Sequence, residues 1–324
     1  MVDYCLQEGI LQAGVVPLLR AANTNQAANP SLRYLELQLT DRCNLRCRHC
    51  FLGDTPQRDM SLKTFKLIVD QFQAFQGLKL ILTGGEPLLH SHFWEINDKL
   101  SEYDLRMVLL SNGHLIDSKT AQALKVHEVQ LSIDGLEQGH DALRGRGSFR
   151  RVVKALENLL AAGKKVSVAT MIHTENLNDF PQIAQMIEEW GVEEWNVDLP
   201  SPTGRLGQNK SFLVDPQKAA PLMDYGKNGG HFNASGPWTC GAHLATATID
   251  GYLIKCSFYE HQGEPIQHCG LRKAWAELPR MTLKELDCQC LYLEQCRGGC
   301  RFRADTLGNP KGPDLVQCYR CGVL

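Results

Sequence analysis

Short apolar runs recur along the first two thirds of the chain, and longer stretches of mixed polar and apolar residues separate them. Six runs read as buried strands, at residues 34–40, 78–83, 106–111, 128–133, 166–172 and 194–199. Between them, stretches such as residues 62–75 and 149–162 have the three-to-four-residue spacing of an amphipathic helix. Strands that alternate with helices form parallel sheets with crossover connections. The predicted fold class is therefore α/β, a partial (β/α)6 barrel related to the TIM barrel.

The alternation fades after Pro200, where residues 201–237 contain several glycines and prolines and predict a connector with a short helix. Residues 245–258 alternate again around Asp250-Gly251, a pair typical of a tight hairpin turn. The remainder is short and rich in cysteine. We therefore expect three parts, an N-terminal extension (1–30), a partial barrel (31–235) and a small cysteine-rich domain with a β-hairpin (236–324).

Charge and hydropathy exclude two classes of partner. The 34 Lys and Arg residues against 36 Asp and Glu give a formal net charge of -2, which supplies no field to attract a nucleic acid. An apolar patch at residues 9–19 follows two acidic residues and contains Pro17. Such a patch is too short for a membrane span and fits a signal peptide poorly. We expect a cytoplasmic protein without nucleic acid or membrane partners.

The 13 cysteines change this picture most. An odd number without an export signal argues against a disulfide framework and favours metal or cluster ligands in a reducing compartment. Three cysteines fall between residues 43 and 50, nine fall from residue 240 onward, and Cys5 stands apart.

Polar or glycine-rich clusters follow each of the first four predicted strands. They are the cysteines after strand one, Gly84-Gly85-Glu86-Pro87, Ser111-Asn112-Gly113 and Asp134-Gly135. Because the loops after the strands of such a barrel converge on one face, the four clusters are expected around one mouth.

The spacing Cys43-x3-Cys47-x2-Cys50 provides three thiolates from one tight loop. Three thiolates leave one iron of a four-iron cubane without a protein ligand, whereas an electron-transfer cluster of this type usually takes four. The open iron can bind a substrate or a cofactor. A zinc site is the alternative, but no fourth Cys or His lies at the ligand spacing of a zinc finger.

This run, Cys43-Asn-Leu-Arg-Cys47-Arg-His-Cys50, resembles the signature loop of radical S-adenosylmethionine (SAM) enzymes, in which the cofactor chelates the open iron of a [4Fe-4S] cluster. In that resemblance Glu86 accepts the cofactor's amino group, Ser132 binds its ribose and Arg144 its carboxylate. His49 stands where many members place an aromatic residue against the adenine. The implied SAM contacts are His49, Gly84, Gly85, Glu86, Ser132 and Arg144.

The late cysteines, with Cys288-x-Cys290-x5-Cys296-x3-Cys300 at their centre, resemble the SPASM extension of radical enzymes that modify peptides. That resemblance implies two auxiliary [4Fe-4S] clusters. The first would be held by Cys240, Cys256, Cys269 and Cys300. The second would be held by Cys288, Cys290, Cys296 and Cys318, with Cys321 as a substitute. The typical extension has two residues where Gln289 alone separates the first pair. A pair of structural zinc sites is the alternative.

Other polar residues are weaker candidates for catalysis. His173 and Asp198 lie at the ends of the fifth and sixth predicted strands, and Arg205 follows shortly after. Tyr259 and His261 follow Cys256 and could supply a proton or hydrogen atom. Capping and loop hydrogen bonds explain polar residues at strand ends equally well.

The resemblance implies an enzyme that reductively cleaves SAM to a 5'-deoxyadenosyl radical, which abstracts hydrogen from a peptide or protein. A flavodoxin-type or ferredoxin-type protein would donate the electron. One alternative is a radical SAM enzyme acting on a small molecule or cofactor precursor such as a tetrapyrrole. The other is a non-catalytic iron-sulfur electron-transfer protein, which would need neither Glu86, Ser132 nor Arg144.

Overall fold

The computed structural model describes residues 28–227, 236–259 and 263–324. Nine strands of these residues form one sheet in the order β6-β5-β4-β3-β2-β1-β7-β8-β9. The strands are β1 (Tyr34–Thr40), β2 (Lys79–Gly84), β3 (Arg106–Ser111), β4 (Glu128–Ser132), β5 (Lys165–Met171), β6 (Glu194–Asp198), β7 (Leu244–Ala247), β8 (Tyr252–Ile254) and β9 (Glu264–Pro265). Strands β1 to β6 pair parallel in chain order, which confirms the predicted α/β class and all six barrel strands.

Crossover helices cover the sheet. The α-helices are α1 (Leu62–Ala74), α2 (Phe93–Lys99), α3 (Ser118–Ala123), α4 (Glu137–Arg144), α5 (Ser148–Ala161), α6 (Phe180–Glu189), α7 (Pro216–Ala219), α8 (Ile266–Cys269), α9 (Leu271–Glu277), α10 (Leu293–Cys296), α11 (Arg301–Thr306) and α12 (Leu315–Arg320). Six short 3-10 helices lie at Pro87–Leu89, Leu100–Glu102, Gly204–Gly207, Lys210–Phe212, Ala220–Tyr225 and Leu283–Glu285. The two predicted amphipathic stretches form α1 and α5.

Helix α1 shows how the sequence produces these elements. The Ser61 side chain accepts a hydrogen bond from the Thr64 amide and caps the first turn. Its buried residues, Phe65, Ile68, Val69 and Phe72, recur at three-to-four-residue spacing. They therefore form one face, which packs onto the sheet, and burial of each large side chain contributes about 2 kcal/mol.

The predicted hairpin is confirmed, since β7 and β8 pair antiparallel around a turn that contains Asp250 and Gly251. The Gly251 amide donates to the Thr248 carbonyl at 2.8 Å, and Gly251 has a φ of +78° that favours glycine. Strand β7 also pairs parallel with β1. The hairpin therefore extends the barrel sheet at its β1 edge, which the local pattern did not predict.

Buried arginines hold the C-terminal segment together. Arg301 is fully buried and donates to the carbonyls of Pro310 and Gly312 at 3.1 and 2.7 Å. Arg303 pairs with the buried Asp314 at 2.8 Å and with Asp198, at the end of β6, at 2.6 Å. The second pair ties this segment to the mouth of the barrel.

No helix among the described residues is long and apolar enough to cross a membrane. The N-terminal apolar patch, Cys5 and His261 lie outside the described residues, as does the expected domain boundary at residue 235.

Candidate active site

The three early cysteines lie on the loop directly after β1. The Cys50 amide donates to the Cys47 carbonyl at 3.3 Å, so the loop turns tightly between them. Burial, and to a lesser extent the nearby Cys47, Glu86 and Cys50 groups, raises the pKa of the Cys43 thiol to about 11. Burial also raises the pKa of the Cys47 thiol, so these thiols are costly to ionise without a cation. They fit an iron-sulfur cluster, whose irons supply that charge.

Gly84 and Gly85 permit a close approach between two loops. A β-carbon on Gly84 would lie 2.1 Å from the Thr40 carbonyl oxygen, and one on Gly85 would lie 2.2 Å from that of Arg42. Instead, the Gly85 and Glu86 amides donate to these two carbonyls, each at 2.8 Å. The glycines therefore fasten the end of β2 against the beginning of the cysteine loop.

Glu86 is fully buried, and its carboxylate is held by its neighbours. The Ser111 hydroxyl donates to it at 3.0 and 3.1 Å, the Asn112 amide at 2.8 Å and the Leu88 amide at 3.4 Å. Burial raises the pKa of Glu86 to about 7, although these hydrogen bonds act in the opposite direction. In this arrangement Glu86 joins the loops after β2 and β3.

Asn112 extends this connection to the cysteine loop. Its side-chain amide donates to Asn44 Oδ1 at 2.8 Å and lies 3.9 Å from Cys43 Sγ. The sequence placed Asn112 at the mouth but gave it no role. A continuous chain of contacts thus runs from Glu86 through Asn112 to a cluster cysteine.

Arg144 lies on the opposite side of the cysteine loop. Its Nη1 atom is 3.9 Å from Cys47 Sγ, and its Nε donates to the carboxylate of Asp134. Burial alone would raise the pKa of Asp134, but the Arg144 guanidinium holds it below its ordinary range. Asp134 also accepts from the Met171 amide at 2.7 Å. The sequence placed Asp134 at the mouth but gave it no role.

Unpartnered polar atoms mark room for a bound molecule at this mouth. Within the described residues, His49 Nδ1 and both ring nitrogens of His114 are buried without a hydrogen-bond partner. Burial, and then the charge of Arg144, lowers the pKa of His49 to about 3, so the ring is neutral. Ser132 is half-buried at the end of β4. Because unpaired buried polar atoms are costly, these side chains fit a polar organic cofactor such as SAM.

The weaker candidates occupy different environments. The buried His173 donates from Nε2 to the Asp134 carbonyl at 2.8 Å and accepts from the Glu175 amide at 3.3 Å, so both ring nitrogens are used within the protein. Asp198 accepts from Arg303, as described above. Burial and the nearby Cys240, Cys256 and Cys300 thiols raise the pKa of Tyr259, which places its phenol among three late cysteines.

Arg205 clamps the cysteine loop. Its Nε donates to the Cys47 carbonyl at 3.0 Å, and its Nη1 donates to the Gly53 carbonyl at 2.7 Å and to Asp54 at 3.1 Å. Its backbone amide donates to the Cys50 carbonyl at 3.0 Å. These contacts identify Arg205 as a residue that positions the loop from more than 150 positions away in sequence.

The Arg205→Lys variant is expected to lose iron from the first cluster faster than the parent protein. A lysine ammonium cannot match the guanidinium fork, and loss of charge-assisted hydrogen bonds costs about 2 kcal/mol. The measurement is iron released to a chelator over time, with the cluster followed by electron paramagnetic resonance. The exposed Arg146 provides the matched control, Arg146→Lys. Equal iron release from the two variants would contradict the assigned role.

The late cysteines form two groups. Burial and the Cys240 and Cys300 thiols raise the pKa of Cys256 to about 12, which places these three side chains together. The same electrostatic proximity joins a second group, which comprises Cys288, Cys290, Cys296, Cys318 and Cys321. Cys269 stands at the end of helix α8, where its Sγ donates to the Pro265 carbonyl at 3.3 Å. Among the described residues, no three His, Cys, Asp or Glu side chains are placed to hold a single metal ion.

Comparisons with known proteins agree with this site. Residues 37–187 match the model of the Radical SAM superfamily. The chain is 28% identical over 333 residues to the mycofactocin maturase MftC of Mycobacterium ulcerans, covering 90% of this chain and 89% of that protein. It is 30% identical over 220 residues to the AdoMet-dependent heme synthase of Nitratidesulfovibrio vulgaris, covering 65% and 60% respectively.

The fold is also found in a solved structure. Streptococcus suis SuiB bound to its precursor peptide SuiA superposes with a TM-score of 0.73 at 14% identity, covering 98% of this chain and 87% of that one. The three-cysteine loop, the surrounding mouth and the grouped late cysteines now have a common explanation. Residues 37–187 therefore carry a radical SAM domain, and the chain is an enzyme with a SPASM-type C-terminal extension that uses SAM and [4Fe-4S] clusters.

Proposed function

We propose that this enzyme is a maturase that modifies a peptide by radical chemistry. The observation that carries the proposal is the three-thiol loop, with Arg144 beside Cys47 on one side and Asn112 beside Cys43 on the other. The peptide substrate is supported by the relatives, since MftC is a maturase and SuiB has been crystallised with a precursor peptide.

The residues around the three-cysteine loop would have different roles. Cys43, Cys47 and Cys50 would hold the first cluster, and His49 and Ser132 would contact the nucleoside of SAM. When bound, the cluster and SAM supply a hydrogen-abstracting radical. Glu86 would position the loop after β3 through Ser111 and Asn112.

Arg144 faces two negative groups, the Cys47 thiolate and the Asp134 carboxylate. A buried guanidinium between them stabilises both charges and keeps its Nη atoms directed at the cluster. We infer that Asp134 orients Arg144, and that Arg144 contacts the carboxylate of SAM. His173 supports this pair through its hydrogen bond to the Asp134 carbonyl.

The proposal includes an electron donor and a division of the chain. Reduction of a low-potential cluster needs a one-electron donor, and a flavodoxin-type or ferredoxin-type protein fits that requirement. The proposed parts remain an N-terminal extension (1–30), a radical SAM barrel (31–235) and a SPASM domain (236–324). The pairing of β7 with β1 joins the last two parts through one sheet.

A tetrapyrrole or another cofactor precursor is the second candidate substrate. The 30% identity to a heme synthase favours it, but that match covers 65% of this chain and 60% of that protein. The maturase match covers 90% and 89% and so reaches well into the cysteine-rich segment. The longer match supports the peptide as the first choice.

The experiment that tests the function is anaerobic reconstitution followed by dithionite reduction in the presence of SAM. We expect 5'-deoxyadenosine, which chromatography detects, and its absence would overturn the enzyme assignment. Deuterated precursor peptides encoded near this gene would then be added. Deuterium in 5'-deoxyadenosine together with a mass change in the peptide would establish the substrate class, whereas deuterium transfer only from a labelled tetrapyrrole would favour the second candidate.

A further inference from the structure

Exposed arginines are concentrated on two short segments of the chain. Residues 42–58 include the three-cysteine loop, and residues 144–151 span the turn between α4 and α5. Together they contain eight arginines, one aspartate and no lysine, in a chain whose formal net charge is -2. The excess of positive charge is therefore local. Five of these arginines are exposed and form what we call the arginine surface, namely Arg46, Arg48, Arg146, Arg150 and Arg151.

The two segments lie against each other beside Cys47. The Arg48 amide donates to the Leu143 carbonyl, in the last turn of α4, at 2.9 Å. The side chain of the next residue, Arg144, lies beside the cysteine loop, with its Nη1 atom 3.9 Å from Cys47 Sγ. The turn that carries Arg146 begins directly after this residue. Arg48 and the α4–α5 turn thus belong to one face of the protein, next to the Cys47 side of the three-cysteine loop.

Carboxylates balance only part of the charge of this face. Arg46 pairs with Asp54 at 2.7 Å and Arg150 pairs with Glu137 at 2.8 Å, and all four side chains are exposed. Exposed pairs of this kind contribute at most about 1 kcal/mol, so a stronger carboxylate partner can replace them. The other three arginines of the surface have no carboxylate partner among the residues that the structure describes. The arginine surface therefore keeps positive charge available for a binding partner.

The guanidinium groups define the chemistry of that partner. A guanidinium binds a carboxylate or a phosphate through two parallel hydrogen bonds, which an ammonium group cannot do. Arg48 is also held in place, because its guanidinium carbon lies 5.3 Å from the centre of the Phe212 ring. A surface of arginines without lysine therefore fits an anionic macromolecule that presents several such groups.

The position of the arginine surface selects among anionic partners. A cluster on the three-cysteine loop must receive an electron from outside the chain before SAM can be cleaved. Cys47 is buried, with 8% of its surface exposed, and its two neighbours in sequence, Arg46 and Arg48, both belong to the arginine surface. A protein docked there would contact the residues on both sides of a cluster ligand. A nucleic acid or an acidic peptide matches the charge but supplies no electron.

We propose that the arginine surface is the docking site of an acidic one-electron carrier protein that reduces the first cluster. The carrier is oxidised by one electron and the cluster is reduced by one. The proposal rests on the proposed function, which requires such a donor. Electron-transfer complexes are weak encounters with small interfaces, in which complementary charge raises the association rate and fixes the orientation.

The first test is binding of a bacterial flavodoxin in its oxidised state, measured by titration calorimetry at low ionic strength. The Arg146→Glu/Arg151→Glu variant reverses two charges of the surface and leaves the residues beside Cys47 intact. We expect it to bind flavodoxin at least about tenfold more weakly than the parent. Circular dichroism and iron content verify that the variant is folded and loaded.

The matched control is Lys218→Glu/Lys284→Glu, which makes the same change of charge at two exposed lysines on α7 and on the 3-10 helix Leu283–Glu285. It should bind flavodoxin like the parent. Equal weakening in both variants would mean that net charge, and not this surface, attracts the carrier. Unchanged flavodoxin binding together with lost binding of a glutamate-rich peptide would identify a peptide site and overturn the proposal.

The second test compares two reductants in the formation of 5'-deoxyadenosine. With dithionite, the arginine variant is expected to cleave SAM at the parental rate. With flavodoxin and its NADPH-dependent reductase, it should be about tenfold slower at low salt. The parent's flavodoxin-driven rate should fall as salt screens the arginines. Parental rates with both reductants, or loss with both, would overturn the docking site. Failure of the parent with dithionite would instead overturn the proposed function, so the two failures are distinguishable.

Discussion

The Cys47→Ala variant is expected to lose SAM cleavage entirely. Cys47 is the most buried cysteine of the first loop, with 8% of its surface exposed. Its removal leaves one corner of the cluster facing protein atoms that cannot ligate iron. Without a complete cluster, no electron reaches the sulfonium of SAM. The measurement is 5'-deoxyadenosine formed with dithionite, accompanied by a loss of about four irons per chain.

A matched control is Cys269→Ala. Cys269 is also partly buried, but it lies on helix α8 and not on the first cluster loop. It should therefore retain SAM cleavage. If Cys47→Ala still produced 5'-deoxyadenosine at the parental rate, the loop would not be the site of radical formation.

The Cys296→Ala variant is expected to keep SAM cleavage but form no product. Cys296 belongs to the five-cysteine group and not to the Cys43–Cys50 loop. Loss of this cluster should remove electron transfer to or from the substrate radical, so that cleavage becomes uncoupled. The measurement is the ratio of modified product to 5'-deoxyadenosine in the same reaction.

Cys321 complicates this variant, because it lies next to Cys296 and could replace it. The Cys296→Ala/Cys321→Ala double variant removes that possibility. We expect it to cleave SAM without product and to contain about four irons fewer than the parent. Parallel loss of cleavage and product in the double variant would mean that this cluster serves mainly to stabilise the fold.

The barrel could be predicted from the sequence because its strands carry buried apolar side chains at regular positions. Residues 34–40 place leucines at every second position and residues 106–111 contain an apolar run, and the structure has strands at those same positions. The hairpin could also be predicted, from the turn-forming pair Asp250-Gly251. The pairing of β7 with β1 could not, since it joins residues 210 positions apart and the sequence Leu-Ala-Thr-Ala carries no signal for a partner.

The site was predictable where chemistry depends on spacing along the chain. The three early cysteines lie on one loop, and Gly84, Glu86 and Arg144 lie around it as expected. Asp134 and Asn112 were placed at the mouth, but the contacts they make there were not predictable, because Asn112 meets Glu86 across neighbouring strands and Asp134 meets Arg144 across a folded loop and helix. Arg205 approaches from a 3-10 helix far along the chain.

Strand β7 also limits how chains of this kind can be recombined. It lies beside β1 from Tyr34 to Leu37, so a graft of a foreign C-terminal segment must present a strand of the same length and register to that edge. A graft that begins after residue 247 would keep the native edge pairing and Cys240, and would exchange the eight cysteines that follow. Recombination between such enzymes should therefore be made inside the hairpin. The linker at residues 201–237, which the amino-acid composition suggests, lies before strand β7.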